Sequence, residues 1–465
     1  MPGLMRCKYC GTLQDEPGGA KVCVQCGGEL VFEQTLTPGG ASYVKAQLEL
    51  DQIAAPAGQI VERHLIVTVE TPDQVPAAER PPAEAGRDPL NFVAVLDISG
   101  SMGGSKIEAA VEAARQAVRR LQDGDFFSLV TFSTRVLCPL ASRRVDAGYR
   151  RVIESALQEI RAGGQTALCG GLEQGIEQAL SRRQKTNLVL LLSDGQANVG
   201  ETGVEAIGRR AMDARAQGVT VSTLGVGNDY NEALMAEIAI DGGGRFYHVA
   251  HAHQIAAYLA GELGEMASLA ARNAVVTLDL PEGTGVHPLS SAYPVQGPAI
   301  TLGDIPLSTT LEVAVRILLP PHPPGTKLPI SGALRYRSPV DHSLTTPLNT
   351  VTVRYAPVAG FEFTDGTVKP VVRRVLAQMQ ATGVLSTVKA ATQGVQAARR
   401  QGGLHMASMQ RYASLLGEDQ EAGELLAQSK EVLDAMVASS ASPLAKAATH
   451  AAMKRHRGSK DFDQT

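Results

Sequence analysis

This sequence of 465 residues lacks any apolar run long enough to cross a membrane. Its uninterrupted apolar runs, such as Leu188 to Leu192 and Ile317 to Leu319, fall far short of the roughly 20 residues a spanning helix needs. It also lacks charge of one sign: the net charge of −4 gives no electrostatic reason to expect nucleic acid or an anionic membrane as a partner. The opening residues MPGLMRCKYCG have no apolar core of the kind a secretory signal carries, from which a cytoplasmic location is expected. Several catalytic signatures are missing too, with no H-E-x-x-H, no G-x-S-x-G elbow and no phosphate-binding P-loop. Gly225-x-Gly227 is a lone glycine pair at the end of a strand, and no internal repeat persists along the chain. An apolar fraction of 44% nevertheless marks a globular protein, and the length exceeds one ordinary core. Roughly two to four domains are expected.

The chain is organised around Asn91–Ser101, NFVAVLDISGS. Phe92 to Leu96 is an unbroken apolar run too short for a free-standing helix, which predicts a strand buried on both faces. It ends in oxygen donors: Asp97, Ser99 and Ser101 alternate through a glycine-containing turn and offer a carboxylate and two hydroxyls at one point. Hard donors of low total charge suit a small hard cation, Mg²⁺ most readily (Ca²⁺ or Mn²⁺ otherwise), at about 2.0–2.1 Å. Farther along, the loop Gly163-Gly164-Gln165-Thr166 opens a helix and adds the Thr166 hydroxyl. A second all-apolar strand, Leu188 to Leu192, delivers Ser193-Asp194-Gly195 and with it a second carboxylate, Asp194.

These three pieces, in this order and spacing, resemble the von Willebrand factor A (VWA) domain family. The metal-ion-dependent adhesion site (MIDAS) of that family is D-x-S-x-S, a downstream Thr, then an Asp in an S/T-D-G turn. The resemblance assigns the metal to Asp97, Ser99, Ser101, Thr166 and Asp194. From 91 to about 269, strands and helices take turns: helices near 107–121, 152–160, 168–180, 204–216, 231–240 and 254–268, strands at 126–132, 188–192, 219–225 and 246–249. Such alternation predicts a doubly wound, mostly parallel Rossmann-like sheet with its ligand site at the C-terminal ends of the strands.

The flanks read differently. Cys7-x2-Cys10 and Cys23-x2-Cys26 form two knuckles, each followed by glycine, and predict a four-cysteine Zn²⁺ ribbon over 1–32. Two disulfides are the alternative, which a reducing cytosol disfavours. The ribbon balances Arg6, Lys8 and Lys21 against Asp15, Glu16 and Glu29, so it suits protein docking or structure better than nucleic acid. Apolar residues alternate with period two over 42–70 and again over 272–357, as half-buried strands do. Two strands cannot hide their own apolar face, so one β-sandwich built from both flanks is expected, with the VWA domain of 90–270 inserted between its strands. That layout is similar to bacterial VWA proteins of the calcium-activated-chloride-channel-like or inter-α-trypsin-inhibitor-like kind. The segment 366–457 predicts a small helical bundle, broken at Gly402-Gly403, before a tail of 458–465.

The family resemblance implies that a partner's Asp or Glu carboxylate completes the metal site. Two ligand carboxylates leave a divalent cation under-neutralised, so an incoming acid gains a charge-assisted bond. Gly100, Met102, Gly103, Gln165 and Gln196 would form the rim, Met102 as an exposed apolar contact. The resemblance further implies a non-enzymatic adaptor or scaffold in intracellular bacterial signalling or beside an AAA+ ATPase. The alternative, a Mg²⁺-dependent hydrolase of phosphoesters or peptides, needs a general base that is not a ligand. Nearby polar positions offer only Lys106, Gln165, Gln196 and Asn198. His248, His251 and His253 are read as solvent-facing or capping residues, and Cys138 and Cys169 as reduced core thiols.

Overall fold

The computed structural model describes residues 42–80, 87–194, 197–227, 230–249, 254–438 and 443–457, together with three short strands near the start. Those strands, β1 (Leu4–Cys7), β2 (Leu13–Asp15) and β3 (Leu30–Phe32), form an antiparallel sheet in the order β2-β1-β3. The side chain of Cys7, and Cys10, Cys23 and Cys26 altogether, lie outside the described residues. Two compact units follow from the contacts, one built mainly of Pro81–Ser268 and the other of Thr37–Arg80 with Leu269–Lys460. The second unit supplies the next three strands, β4 (Lys45–Leu50), β5 (Ala54–Pro56) and β6 (Val61–Glu70).

The first unit then runs β7 (Leu90–Asp97), α1 (Ser105–Arg120), β8 (Phe126–Phe132), β9 (Val136–Arg144), α2 (Ala147–Gln158), α3 (Leu168–Ser181) and β10 (Thr186–Ser193). It continues with α4 (Val204–Ala216), β11 (Thr220–Val226), α5 (Glu232–Asp241), β12 (Gly243–Val249) and α6 (Ile255–Ala267). Its sheet has the order β12-β11-β10-β7-β8-β9, with every pairing parallel except β8 to β9. Every residue of the central β7 is buried, because helices cover both faces and leave no solvent side to alternate with. Phe92, Ala94 and Leu96 join the core of α1, α2 and α6, each large side chain contributing roughly 1.5–3 kcal/mol by its burial. On the other face α3 comes so near that a Cβ on Gly175 would lie 2.4 Å from Val95 Cγ2.

Two elements differ from expectation here. The helix expected from 152 begins at Ala147, because Asp146 caps it by accepting a hydrogen bond from the Tyr149 backbone N–H at 2.6 Å. The edge strand β9 has no counterpart in the sequence reading: Pro139 cuts its short apolar run Val136-Leu137-Cys138, and Leu140 is its one buried residue.

The second unit resumes with β13 (Leu269–Asp279), β14 (Gly285–Pro288), β15 (Val295–Gln296), β16 (Ala299–Pro306), β17 (Thr310–Leu319), β18 (Lys327–Arg337), β19 (Ser343–Pro347) and β20 (Val351–Ala356). Strands from the two flanks share sheets. β6 pairs with β17 from Val61↔Leu319 to Glu70↔Thr310 in the four-stranded sheet β14-β17-β6-β4. β5 pairs with β20 in the seven-stranded sheet β15-β16-β13-β18-β20-β5, where β19 joins β18.

Four helices close the unit: α7 (Lys369–Ala391), α8 (Val395–Ala413), α9 (Gln420–Ala438) and α10 (Pro443–Arg457). They explain why β6 is not half-buried as expected. Ile66 and Ala314, on the face opposite Leu65 and Val67, pack against Val371, Val372, Val375 and Leu376 of α7, so both faces are covered. The expected break at Gly402-Gly403 is absent. Gly402 lies inside α8 where Leu433 of α9 approaches (a Cβ would stand 3.1 Å from Leu433 Cδ2), and the chain turns instead at Gly394, whose φ is +113°. Among the described residues no helix is long and apolar enough to cross a membrane.

Candidate functional site

The parallel sheet brings the C-terminal ends of β7 and β10 side by side, with Leu192 in register with Leu96. Asp97 closes β7 and Asp194 follows β10, and neither is exposed to solvent. The turn after β7 is tied down by backbone bonds: Ile98 N donates to Phe132 O at 2.8 Å and Gly163 N to Ile98 O at 2.7 Å. Gly100 N donates to Gly164 O at 3.0 Å, which fixes the serine turn to the loop that carries Thr166. Gly164 has φ +92°, and a Cβ on it would meet Thr134 Oγ1 at 2.7 Å, so this approach needs glycine. Thr166 is buried and held at its backbone by Asn198, whose Oδ1 accepts from Thr166 N at 2.8 Å while its own N–H donates to Thr166 O at 3.1 Å.

Four of the five expected ligands meet through their side chains or the adjoining serine. Ser101 Oγ donates to Asp194 Oδ1 at 2.8 Å and lies 3.1 Å from Ser99 Oγ. Ser193 Oγ donates to Asp97 Oδ2 at 2.5 Å, and Ser99 N donates to Asp97 Oδ1 at 2.8 Å. The second oxygen of Asp194 accepts from Lys106 Nζ, which rises from the first turn of α1. Burial pushes the Asp97 carboxyl above its ordinary value; the bonds from Ser193 and Ser99 oppose this, and Asp194 adds to it. No Lys, Arg or His among the described residues pairs with Asp97.

This donor set fits a small hard cation. It offers two fully buried carboxylates and the hydroxyls of Ser99 and Ser101, and one ammonium leaves the pair a net charge short of balance. Among the described residues no cluster of three or more His, Cys, Asp or Glu side chains is placed to hold a metal, consistent with a set that draws most of its donors from serine and threonine.

Met102 corrects the expected rim. It is fully buried in the core beneath the turn, because the short helical turn Gly100–Met102 points it inward. Gln196 lies outside the described residues, as do His251 and His253. His248 Nδ1 sits 2.6 Å from the Tyr230 hydroxyl, and the Tyr230 ring covers Gly225. Cys169 is buried and Cys138 partly so, and burial raises both thiols above their ordinary values.

Sequence reasoning missed the roles of Ser193, Lys106 and Asn198. Only Lys106 carries a signal of its own, since a cation in the first turn of a helix opposes the helix dipole and needs an outside carboxylate.

A second buried cluster was likewise unforeseen. Glu262 of α6 is 0% exposed and accepts from Ser222 Oγ of β11 and from Tyr247 Oη of β12. Arg245 pairs with Glu262 at 3.4 Å and with Glu265. Burial, then Glu262, pushes the Tyr247 phenol well above its ordinary value.

Residues 91–260 match the von Willebrand factor type A domain, so the first unit carries a VWA domain. The chain is 32% identical over 165 residues to the uncharacterized protein sll0103 of Synechocystis sp., covering 35% of this chain and 38% of that one. It is 30% identical over 165 residues to the human inter-alpha-trypsin inhibitor heavy chain H3, covering 34% of this chain and 18% of that one. The matches thus span well under half the length of these curated relatives. Two solved structures resemble most of the chain. The ArnB paralog VWA2 from Sulfolobus acidocaldarius has a TM-score of 0.59 at 20% identity, over 89% of this chain and 99% of that one. A von Willebrand factor type A protein from Catenulispora acidiphila has 0.64 at 17%, over 90% and 98%. At these identities the likeness extends to fold alone.

Proposed function

We propose that this protein is a metal-dependent protein–protein interaction module. Asp97, Ser99, Ser101, Thr166 and Asp194 would hold Mg²⁺, or Ca²⁺ or Mn²⁺ in its place. The observation that carries the reading is the joining of Ser99, Ser101 and Asp194 by hydroxyl contacts at the ends of β7 and β10, beside an Asp97 that has no cationic partner among the described residues. The ion supplies a Lewis-acidic position for an incoming carboxylate. The chain's own residues do the rest. Ser193 and the Ser99 N–H orient the Asp97 carboxylate, Asn198 fixes the backbone of Thr166, and the buried Met102 shields the site from below. An Asp or Glu on a protein partner would complete the set, with the protein acting as adaptor or scaffold in intracellular bacterial signalling or beside an AAA+ ATPase.

Hydrolysis at the same ion is disfavoured. Asn198 is an amide whose oxygen is engaged by the Thr166 N–H, and Gln165 and Gln196 are amides as well, so none of them is a general base. The two sheets of the second unit are taken as the layers of one β-sandwich interrupted by the VWA domain, and Cys7, Cys10, Cys23 and Cys26 as a structural Zn²⁺ site.

The test is affinity capture from cell extract with and without Mg²⁺, comparing wild type with Asp97→Ala. Capture that depends on the ion and on Asp97, with unchanged circular dichroism, supports the reading. Capture indifferent to both overturns it, and capture lost only on zinc removal transfers the role to the ribbon.

A further inference from the structure

Asp194 is completely buried, yet it spends one oxygen on an ammonium group of its own chain. Lys106 Nζ bonds Oδ2, while Ser101 holds Oδ1 at 2.8 Å. The lysine side chain is 28% exposed, so it reaches the carboxylate from the solvent side on a flexible stem and has somewhere to go. Its tip rests beside Gly227 at the end of β11, where a Cβ would stand 3.4 Å from both Cε and Nζ. Gly227 has φ +77°, a backbone shape that keeps larger residues out of the space the tip uses.

A divalent ion on Asp194 and an ammonium on the same carboxylate repel one another. At a separation of a few ångströms this repulsion is several-fold larger than thermal energy even with the screening typical near a protein surface. The ion is held by several donors, whereas the lysine is held by one carboxylate and is partly solvated, so the lysine yields. We propose that Lys106 is a built-in counter-cation of the metal site, one that a divalent ion must displace from Asp194. The residue then sets the ion concentration at which the site fills. In the absence of the ion it spares the fold a second uncompensated buried carboxylate next to Asp97.

This proposal rests on the metal reading above, and its test separates the two. Mg²⁺ is titrated calorimetrically into the full chain, starting from magnesium-free buffer, for wild type, Lys106→Met and Lys106→Gln. Removing the competing charge is expected to tighten Mg²⁺ binding about tenfold or more in both variants. Melting temperature without Mg²⁺ should fall in both, and the rise on adding Mg²⁺ should exceed that of wild type. In wild type, acetylation of Lys106 by an amine-reactive ester, read by mass spectrometry, should increase when Mg²⁺ saturates the site. Unchanged or weaker affinity in both variants, or Lys106 labelling that Mg²⁺ does not alter, overturns the displacement while leaving the metal site standing. Absence of Mg²⁺ binding in wild type and both variants overturns the metal reading, and the displacement with it.

Discussion

Truncating Glu262 to alanine tests whether α6 is pinned to the sheet by charge. The carboxylate is fully buried and accepts from Ser222, Tyr247 and Arg245, so its removal strands two hydroxyls and part of a guanidinium in the interior. Breaking a buried ion pair from one side costs about 3–5 kcal/mol. Because Glu265 still pairs with Arg245, the lower end, about 3 kcal/mol, is expected. For a domain of this size that corresponds to a fall in melting temperature of about 6–12 °C. Calorimetry of the full chain would show the transition of the first unit moving while that of the second stays. Hydrogen exchange should then accelerate in α6 before the rest of the unit. Glu262→Gln, which keeps an acceptor for Ser222 and Tyr247, should recover part of the loss. A Glu262→Ala shift of less than about 2 °C would show that the cluster contributes nothing net and that apolar packing alone seats α6.

Asp97→Asn should abolish the Mg²⁺-dependent rise in melting temperature. In wild type that stabilisation amounts to about 2.7 kcal/mol once the ion is a hundredfold above its dissociation constant. Gly175→Ala should destabilise by about 1–3 kcal/mol, since its methyl would lie 2.4 Å from Val95 Cγ2 and force α3 off the sheet; the displaced helix start should also weaken Mg²⁺ binding through Thr166. Burial holds His405 of α8 below its ordinary value of 6.5, against a hydrogen bond to the Met379 backbone. Its contribution is therefore full above about pH 6.5 and is lost as pH falls through the lower folded value. Urea midpoints at pH 7.5 and 5.5 should differ less in His405→Asn than in wild type, and equal differences would exclude this histidine.

The β7 run, the serine turn after it and the alternation that follows were legible because each obeys a local rule. A buried parallel strand is apolar throughout, and a helix repeats its apolar face. What escaped depends on distant partners. Pro139 hides β9 because only an edge strand tolerates it. Gly402 reads as a breaker until Leu433, from the next helix, is seen to need the space. Ile66 looks like an exception to the period of two until α7, some 300 residues later, covers it. At the site the acidic and hydroxyl positions follow a spacing, whereas Ser193, Lys106 and Asn198 act through contacts that no spacing announces. Met102 was misplaced for a related reason: sequence gives its position in the turn, not which way the turn faces.

The pairing of Glu70 with Thr310 has a consequence for how the chain is made. A ribosome that has just released β6, whose one neighbour β4 is already made, must add roughly 240 more residues before its second neighbour, β17, exists. At about 5–20 residues per second this takes on the order of 12–50 s. Throughout that interval Leu65, Ile66 and Val67 have no lasting cover, while the VWA domain emerges and can fold behind them. A chaperone that holds nascent apolar strands should therefore engage this protein at its β4–β6 segment, and release it only after β17 has left the exit tunnel.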